Sequence, residues 1–196
     1  MNTGTHDAQR AAVVCHPHPL HGGTMHNKVV FAAMKALHAL GYPVLRFNFR
    51  GAGLSEGKHD QGRGEVEDVR AGLGWLQAEF HLPIVFAGFS FGAVTGLRAC
   101  CDDPRVVALI ALGAPVSVSI PGQVRPYSYG FLSSCVKPKL FVSGTRDQYG
   151  PRLQLQEVFD SLPAPKKMVW VQNGDHFFQG RLDQVRAAIE HWTGAL

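Results

Sequence analysis

No apolar run in the 196-residue chain approaches the ~20 residues that a membrane span needs, so no membrane partner is expected. The first ten residues, MNTGTHDAQR, contain no apolar core and do not read as a signal peptide. Charge is sparse: 17% of residues are Asp, Glu, Lys or Arg, and the 19 basic ones are scattered, Lys166-Lys167 being the tightest pair. A formal charge of +4 without a basic stripe offers nothing that tracks phosphates, so no nucleic-acid partner is expected. The cysteines, Cys15, Cys100, Cys101 and Cys135, lack CxxC or metal-ligand spacing and are expected as reduced, buried thiols of a cytoplasmic protein. Neither GxGxxG nor GxxxxGK[ST] occurs, so Gly22-Gly23 carries no phosphate-loop signature. Repeats, linkers and low-complexity segments are missing as well. At 45% hydrophobic residues, the remaining reading is one globular domain spanning 1–196.

What is present alternates between two periods. Short apolar runs at Ala11–Cys15, Pro43–Phe49, Ile84–Phe89, Val106–Leu112, Lys139–Ser143 and Lys167–Val171 have strand length, and their near-continuous apolarity implies strands covered on both faces. Between them lie helical stripes. Val29, Val30, Ala33, Met34, Leu37 and Leu40 precede Gly41; Val66, Val69, Leu73, Leu76 and Phe80 form a stripe whose first turn holds the acidic Glu65, Glu67 and Asp68; Leu182, Val185, Ala188, Ile189 and Trp192 close the chain. This order predicts an α/β three-layer sandwich around a mostly parallel sheet of six strands.

In such a sheet the chemistry gathers in the loops at the carboxyl ends of the strands. After Ile84–Phe89 comes Gly88-Phe89-Ser90-Phe91-Gly92, a G-x-S-x-G turn that would lift the Ser90 hydroxyl above the sheet. A serine is a weak nucleophile without a base, and the base needs an acid to orient it. GTRDQYG places Asp147 after the fifth apolar run, and QNGDHFF places His176 after the sixth. The order Ser90, Asp147, His176 fits a nucleophile–acid–base triad. Asp175 is a rival acid but would have to reach its own neighbour's ring; His191 is a rival base lying mid-helix. An oxyanion hole needs two backbone N–H groups. Phe91 supplies one, and the loop CHPHPLHGG the other. Pro17 and Pro19 have no N–H, which favours His18 with Leu20 or His21 behind it. His16, His18, His21 and His26 raise zinc as an alternative, but no carboxylate or cysteine pattern completes a site, so neither metal nor cofactor is expected.

HPHPLHGGTMHNKVV, LRFNFRGAGLSEG, AGFSFGA and GTRDQYG together resemble the α/β-hydrolase superfamily, and within it small bacterial serine hydrolases related to dienelactone hydrolase-like and serine aminopeptidase-like esterases. The resemblance covers nearly the whole chain. It implies Ser90 as nucleophile, Asp147 as acid, His176 as base and an oxyanion hole at His18 and Phe91. Ser90 stands where dienelactone hydrolases carry cysteine, which argues against that activity. Relatives begin with an antiparallel hairpin for which the ten residues before Ala11 leave no room. Pro43–Phe49 is therefore expected at a sheet edge, where it could pair two copies as a homodimer. Residues 114–137 are expected to form a short, irregular cap-like segment with one short helix at Phe131–Cys135, too small for a lid. Leu20, Tyr127, Tyr129 and Phe177 are candidate pocket residues. The function expected is hydrolysis of a small soluble carboxylic ester through an acyl-enzyme. Thioester or small-peptide amide hydrolysis, acyl transfer to another acceptor, and a non-catalytic binding scaffold stay open.

Overall fold

Six strands hydrogen-bond in the spatial order β2-β1-β3-β4-β7-β8, every neighbouring pair parallel. They are β1 (Ala11–Cys15), β2 (Val44–Arg46), β3 (Ile84–Phe89), β4 (Val106–Leu112), β7 (Lys139–Gly144) and β8 (Lys166–Val171). This computed structural model describes residues 3–5, 7–120 and 123–196. Strand alternation sorts the core into two halves. Val13, Phe86 and Leu109 face one cluster with α2 (Arg63–Phe80), α3 (Phe91–Cys100) and α4 (Arg152–Ser161). Val14, Val85 and Ile110 face the other, with α1 (Lys28–Ala39) and α5 (Leu182–Thr193). Helices on both faces explain why the strands are apolar without interruption.

The chain leaves β1 through α1 to reach β2 on one side, then crosses by α2 to β3 on the other side of β1. The carboxyl ends of β1 and β3 thus flank the point where the winding reverses, the place where such sheets open a ligand crevice. β2 is the edge strand, as expected, but is shorter than the apolar run Pro43–Phe49. Its carboxyl-side residues leave the sheet, and the Phe49 N–H instead donates to His16 Nε2 at 2.9 Å. All four cysteines are free and buried. No helix among the described residues is long and apolar enough to cross a membrane.

Three features differ from expectation. The segment between β4 and β7 contains an antiparallel hairpin, β5 (Ser117–Ile120) with β6 (Gln123–Pro126), and the expected helix at Phe131–Cys135 is a single 3-10 turn, Gly130–Leu132. Two strands become favourable here because the hairpin base is stitched to the protein: the Tyr127 N–H donates to Val116 O, and the Val116 N–H to Tyr149 O. Helix α4 was not foreseen. Its stripe is thin, with Leu155 and Phe159 buried and Leu153 facing solvent.

Candidate active site

Ser90 occupies the turn between β3 and α3 with φ 55° and ψ −121°, left-handed backbone that an L-residue adopts only at a cost of about 1–3 kcal/mol. The flanking glycines make this turn possible. A Cβ on Gly88 would stand 2.5 Å from Gly92 O, and one on Gly92 would strike the backbone of Cys15 and His16. The crossing of α3 over β1 and β3 therefore leaves room for hydrogen alone at both positions.

The three residues expected as a triad come from three strand ends and meet. His176 Nε2 is 3.0 Å from Ser90 Oγ. Its Nδ1 is 2.9 Å from Asp147 Oδ2 and 3.0 Å from Oδ1. Asp147 is held in turn, since Oδ1 accepts the Tyr149 N–H at 2.8 Å and the Gly150 N–H at 3.2 Å. Both Asp147 and His176 are buried. The acid fixes the imidazole with Nδ1–H toward the carboxylate, leaving Nε2 as acceptor for the serine proton. His176 reaches across the ends of β7 and β4 because Gly113, at φ 50°, closes β4. A Cβ there would stand 3.4 Å from His176 Nδ1 and 3.0 Å from the Phe89 ring. The rivals are otherwise placed: Asp175 accepts the Gln179 N–H at 2.9 Å, and His191 is exposed on α5.

The donors beside the serine can be told apart by what each already does. Phe91 is the first residue of α3, so its N–H has no intrahelical acceptor. On the facing loop, the Leu20 N–H donates to His18 Nδ1 at 3.2 Å and the His21 N–H to His18 O at 3.1 Å. Those bonds remove Leu20 and His21 as oxyanion donors. Among the described residues, the His18 N–H has no acceptor. Burial, reinforced by His21 and His59, lowers the His18 imidazole to about 4, so its ring is neutral near pH 7.

A cavity of about 310 Å³ opens over Ser90. Its walls divide into the β1 loop (Pro17, His18, His21) and a more aromatic side (Pro115, Tyr127, Tyr149, Phe177). Tyr127 and Phe177 stand where expected, whereas Leu20 and Tyr129 do not. Leu20 is 69% exposed in a 3-10 turn (Pro19–His21) and does not line the cavity. Tyr129 is buried in the core, its hydroxyl donating to Pro115 O at 2.9 Å. Tyr149 was missed, although its place two residues after Asp147 was a usable signal. Its ring lies 4.5 Å from that of His176, centroid to centroid.

The histidine cluster is a structural device at its first member. His16 is fully buried, with Nδ1 donating to Pro17 O at 2.6 Å and Nε2 accepting from the Phe49 N–H. Burial lowers its pKa to about 4. With both nitrogens used by backbone, it ties the β1 loop to the segment after β2. Among the described residues, no three His, Cys, Asp or Glu side chains come together as a metal-holding group.

Comparison with known proteins places this fold. A family model described as an alpha/beta hydrolase domain matches residues 9–195. An uncharacterised protein of Rickettsia prowazekii is 36% identical over 191 residues, which span 92% of this chain and 77% of that protein. Among solved structures, an alpha-beta serine hydrolase homologue from Coxiella burnetii superposes with a TM-score of 0.87 at 37% identity, covering 97% of this chain and 88% of that one. A Xanthomonas campestris protein described as a serine hydrolase without a lid gives 0.82 at 33%, covering 97% and 84%. By sequence and by fold, the chain belongs to the α/β-hydrolase family.

Proposed function

We propose that this protein is a serine hydrolase that cleaves small, soluble carboxylic esters through an acyl-enzyme. The observation that carries this reading is the unbroken hydrogen-bond chain from Ser90 Oγ through His176 to Asp147. His176 Nε2 takes the Ser90 proton as Oγ attacks the ester carbonyl carbon, and the His18 and Phe91 amides hold the oxyanion. Collapse expels the alcohol, which receives that proton from His176. Water then attacks the acyl-serine, giving a proton to His176, and the carboxylic acid leaves as Ser90 is reprotonated. Every proton-transfer and oxyanion-binding group in this scheme is a side chain or backbone amide of the chain.

Ester is favoured over aminoacyl amide because no carboxylate lines the cavity among the described residues, so nothing there would bind a substrate's ammonium group. Segment 117–127 of the sequence likewise contains no Asp or Glu. Small substrates are favoured by a cavity of about 310 Å³. The test combines fluorophosphonate labelling with a panel of p-nitrophenyl esters, acyl thioesters and aminoacyl amides. Wild type should be labelled at Ser90 and turn over short esters fastest, and Ser90→Ala should do neither. An unlabelled wild type without turnover would make the chain a binding scaffold, and thioester preference would reassign the bond.

A further inference from the structure

The amides assigned to the oxyanion belong to His18 and Phe91, and one further side chain touches both residues. His59, from the loop before α2, has its ring centroid 4.7 Å from that of His18 and 5.5 Å from that of Phe91. The His18 and Phe91 rings are themselves 4.9 Å apart, so the three rings close a triangle. His59 Nδ1 lies 2.7 Å from Glu65 Oε1, a close contact outside hydrogen-bond geometry. Glu65 is fully buried and fixed at both oxygens: Oε1 accepts the Asp60 N–H at 2.9 Å and Oε2 the Gly62 N–H at 2.8 Å. The start of α2, the β1 loop and the first residue of α3 thus converge on one imidazole. His59 does not line the cavity.

We propose that His59, held by Glu65, is a positioning residue that fixes the spacing of the His18 and Phe91 amides. The proposal rests on the hydrolase reading above. Donors stabilise an oxyanion only if they are in place before the charge develops, and slack between two loops spoils that preorganisation. The two are in direct contact at the His18 and Phe91 rings and where Gly92 crosses the His16 backbone, and His59 adds a third support anchored on α2. The His18 loop is tied by its own turn bonds and by His16, and Phe91 by α3; the His59 triangle joins the two. A phenylalanine at 59 would preserve the ring contacts while leaving Glu65 without its partner.

The full-length protein, His59→Ala, His59→Phe and the double variant His59→Phe/Glu65→Gln separate the possibilities. Fluorophosphonate labelling of wild type and loss of turnover in Ser90→Ala come first, because they test the hydrolase reading alone. The readouts are then kcat and KM for p-nitrophenyl acetate, the inhibition constant of phenylboronic acid, whose serine adduct presents a tetrahedral oxygen to the two amides, and the thermal midpoint. Both single variants should lower kcat about tenfold with KM within about twofold, and weaken the boronate by a similar factor. The double variant should gain no thermal midpoint over His59→Phe, because an amide at 65 can accept from only one of the Asp60 and Gly62 N–H groups, and its kcat should stay at the His59→Phe level. Unchanged kcat in the single variants, a loss carried by KM, or kcat recovering in the double variant would each overturn the proposal, leaving His59 as a packing partner of Glu65.

Discussion

Asp147–His176 and Glu65–His59 are both carboxylate–imidazole pairs beside Ser90-Phe91, at 2.9 and 2.7 Å. Their surroundings separate them. Asp147 meets His176 in hydrogen-bond geometry, and the far ring nitrogen faces a hydroxyl at 3.0 Å. Glu65 spends its oxygens on two backbone N–H groups at the start of α2, and the His59 ring lies against other rings instead of a proton donor. A buried histidine beside an acid becomes a base only when its second nitrogen can reach a proton worth moving. Without that, the same pair is a clamp.

Matched substitutions would test this contrast. Asp147→Asn should lower kcat about 10⁴-fold, because the amide leaves His176 in the wrong tautomer, and Ser90→Ala should lose at least as much. Glu65→Gln should behave oppositely, losing about 1–3 kcal/mol of stability from a buried acceptor while kcat falls by tenfold or less. Urea unfolding and p-nitrophenyl acetate turnover on the same preparations read both quantities. Equal kcat losses at 65 and 147 would erase the distinction.

Gly92→Ala probes the backbone that both pairs share. The added methyl would meet the Cys15 carbonyl carbon at 2.8 Å and His16 O closer still, and backbone cannot step aside as a side-chain tip can. Displacement of α3 should cost at least about 1–3 kcal/mol and carry Phe91 away from His18, slowing fluorophosphonate labelling of Ser90. Wild-type labelling at wild-type stability would show that the α3–β1 crossing has slack.

The meeting of Ser90, Asp147 and His176 was legible because its signal is topological: three chemically apt residues follow three strand-length runs in one order, and a parallel sheet brings strand ends together. The hairpin and Tyr149 were less so, since they depend on how the segment after β4 folds back over the Asp147 loop. His59 left no trace at all. Its importance comes from a buried Glu65 that reads, in one dimension, as the acidic first turn of a helix. The four histidines from 16 to 26 show the same limit. Their clustering raised zinc as an alternative that the missing carboxylate or cysteine partners argued against, but it did not reveal that His16 is consumed by Pro17 and Phe49 backbone while His18 and His21 line the cavity.

His16 also predicts how the protein responds to acid. A histidine of the unfolded chain binds its proton near pH 6.5, whereas folded His16 binds it only near 4. Between those values the unfolded state holds more protons, so stability falls as pH drops through that window and levels off below it. The loss should be on the order of 3 kcal/mol for His16, with His18 adding in the same direction. Urea midpoints at pH 7.5, 5.5 and 4.5 measure the slope, and His16→Gln should flatten it. An unchanged slope in that variant would place the acid sensitivity elsewhere.

The smallest effect belongs to the cavity wall. Phe177 is 52% exposed, and its ring packs edge-on against His176 at 5.2 Å and Phe89 at 5.8 Å. Phe177→Ala removes a face of the cavity without touching the hydrogen bonds from Ser90 to Asp147. The preference for acetyl over hexanoyl esters should therefore shift toward the longer chain, by up to about tenfold in relative kcat/KM, with fluorophosphonate labelling unchanged. Leu20→Ala, outside the lining, should leave the profile as it was. A chain-length profile that responds to Leu20 and ignores Phe177 would mean that the acyl group lies along the β1 loop, with the leaving alcohol against Tyr127 and Tyr149. That outcome would exchange the roles of the two walls while leaving the triad chemistry intact.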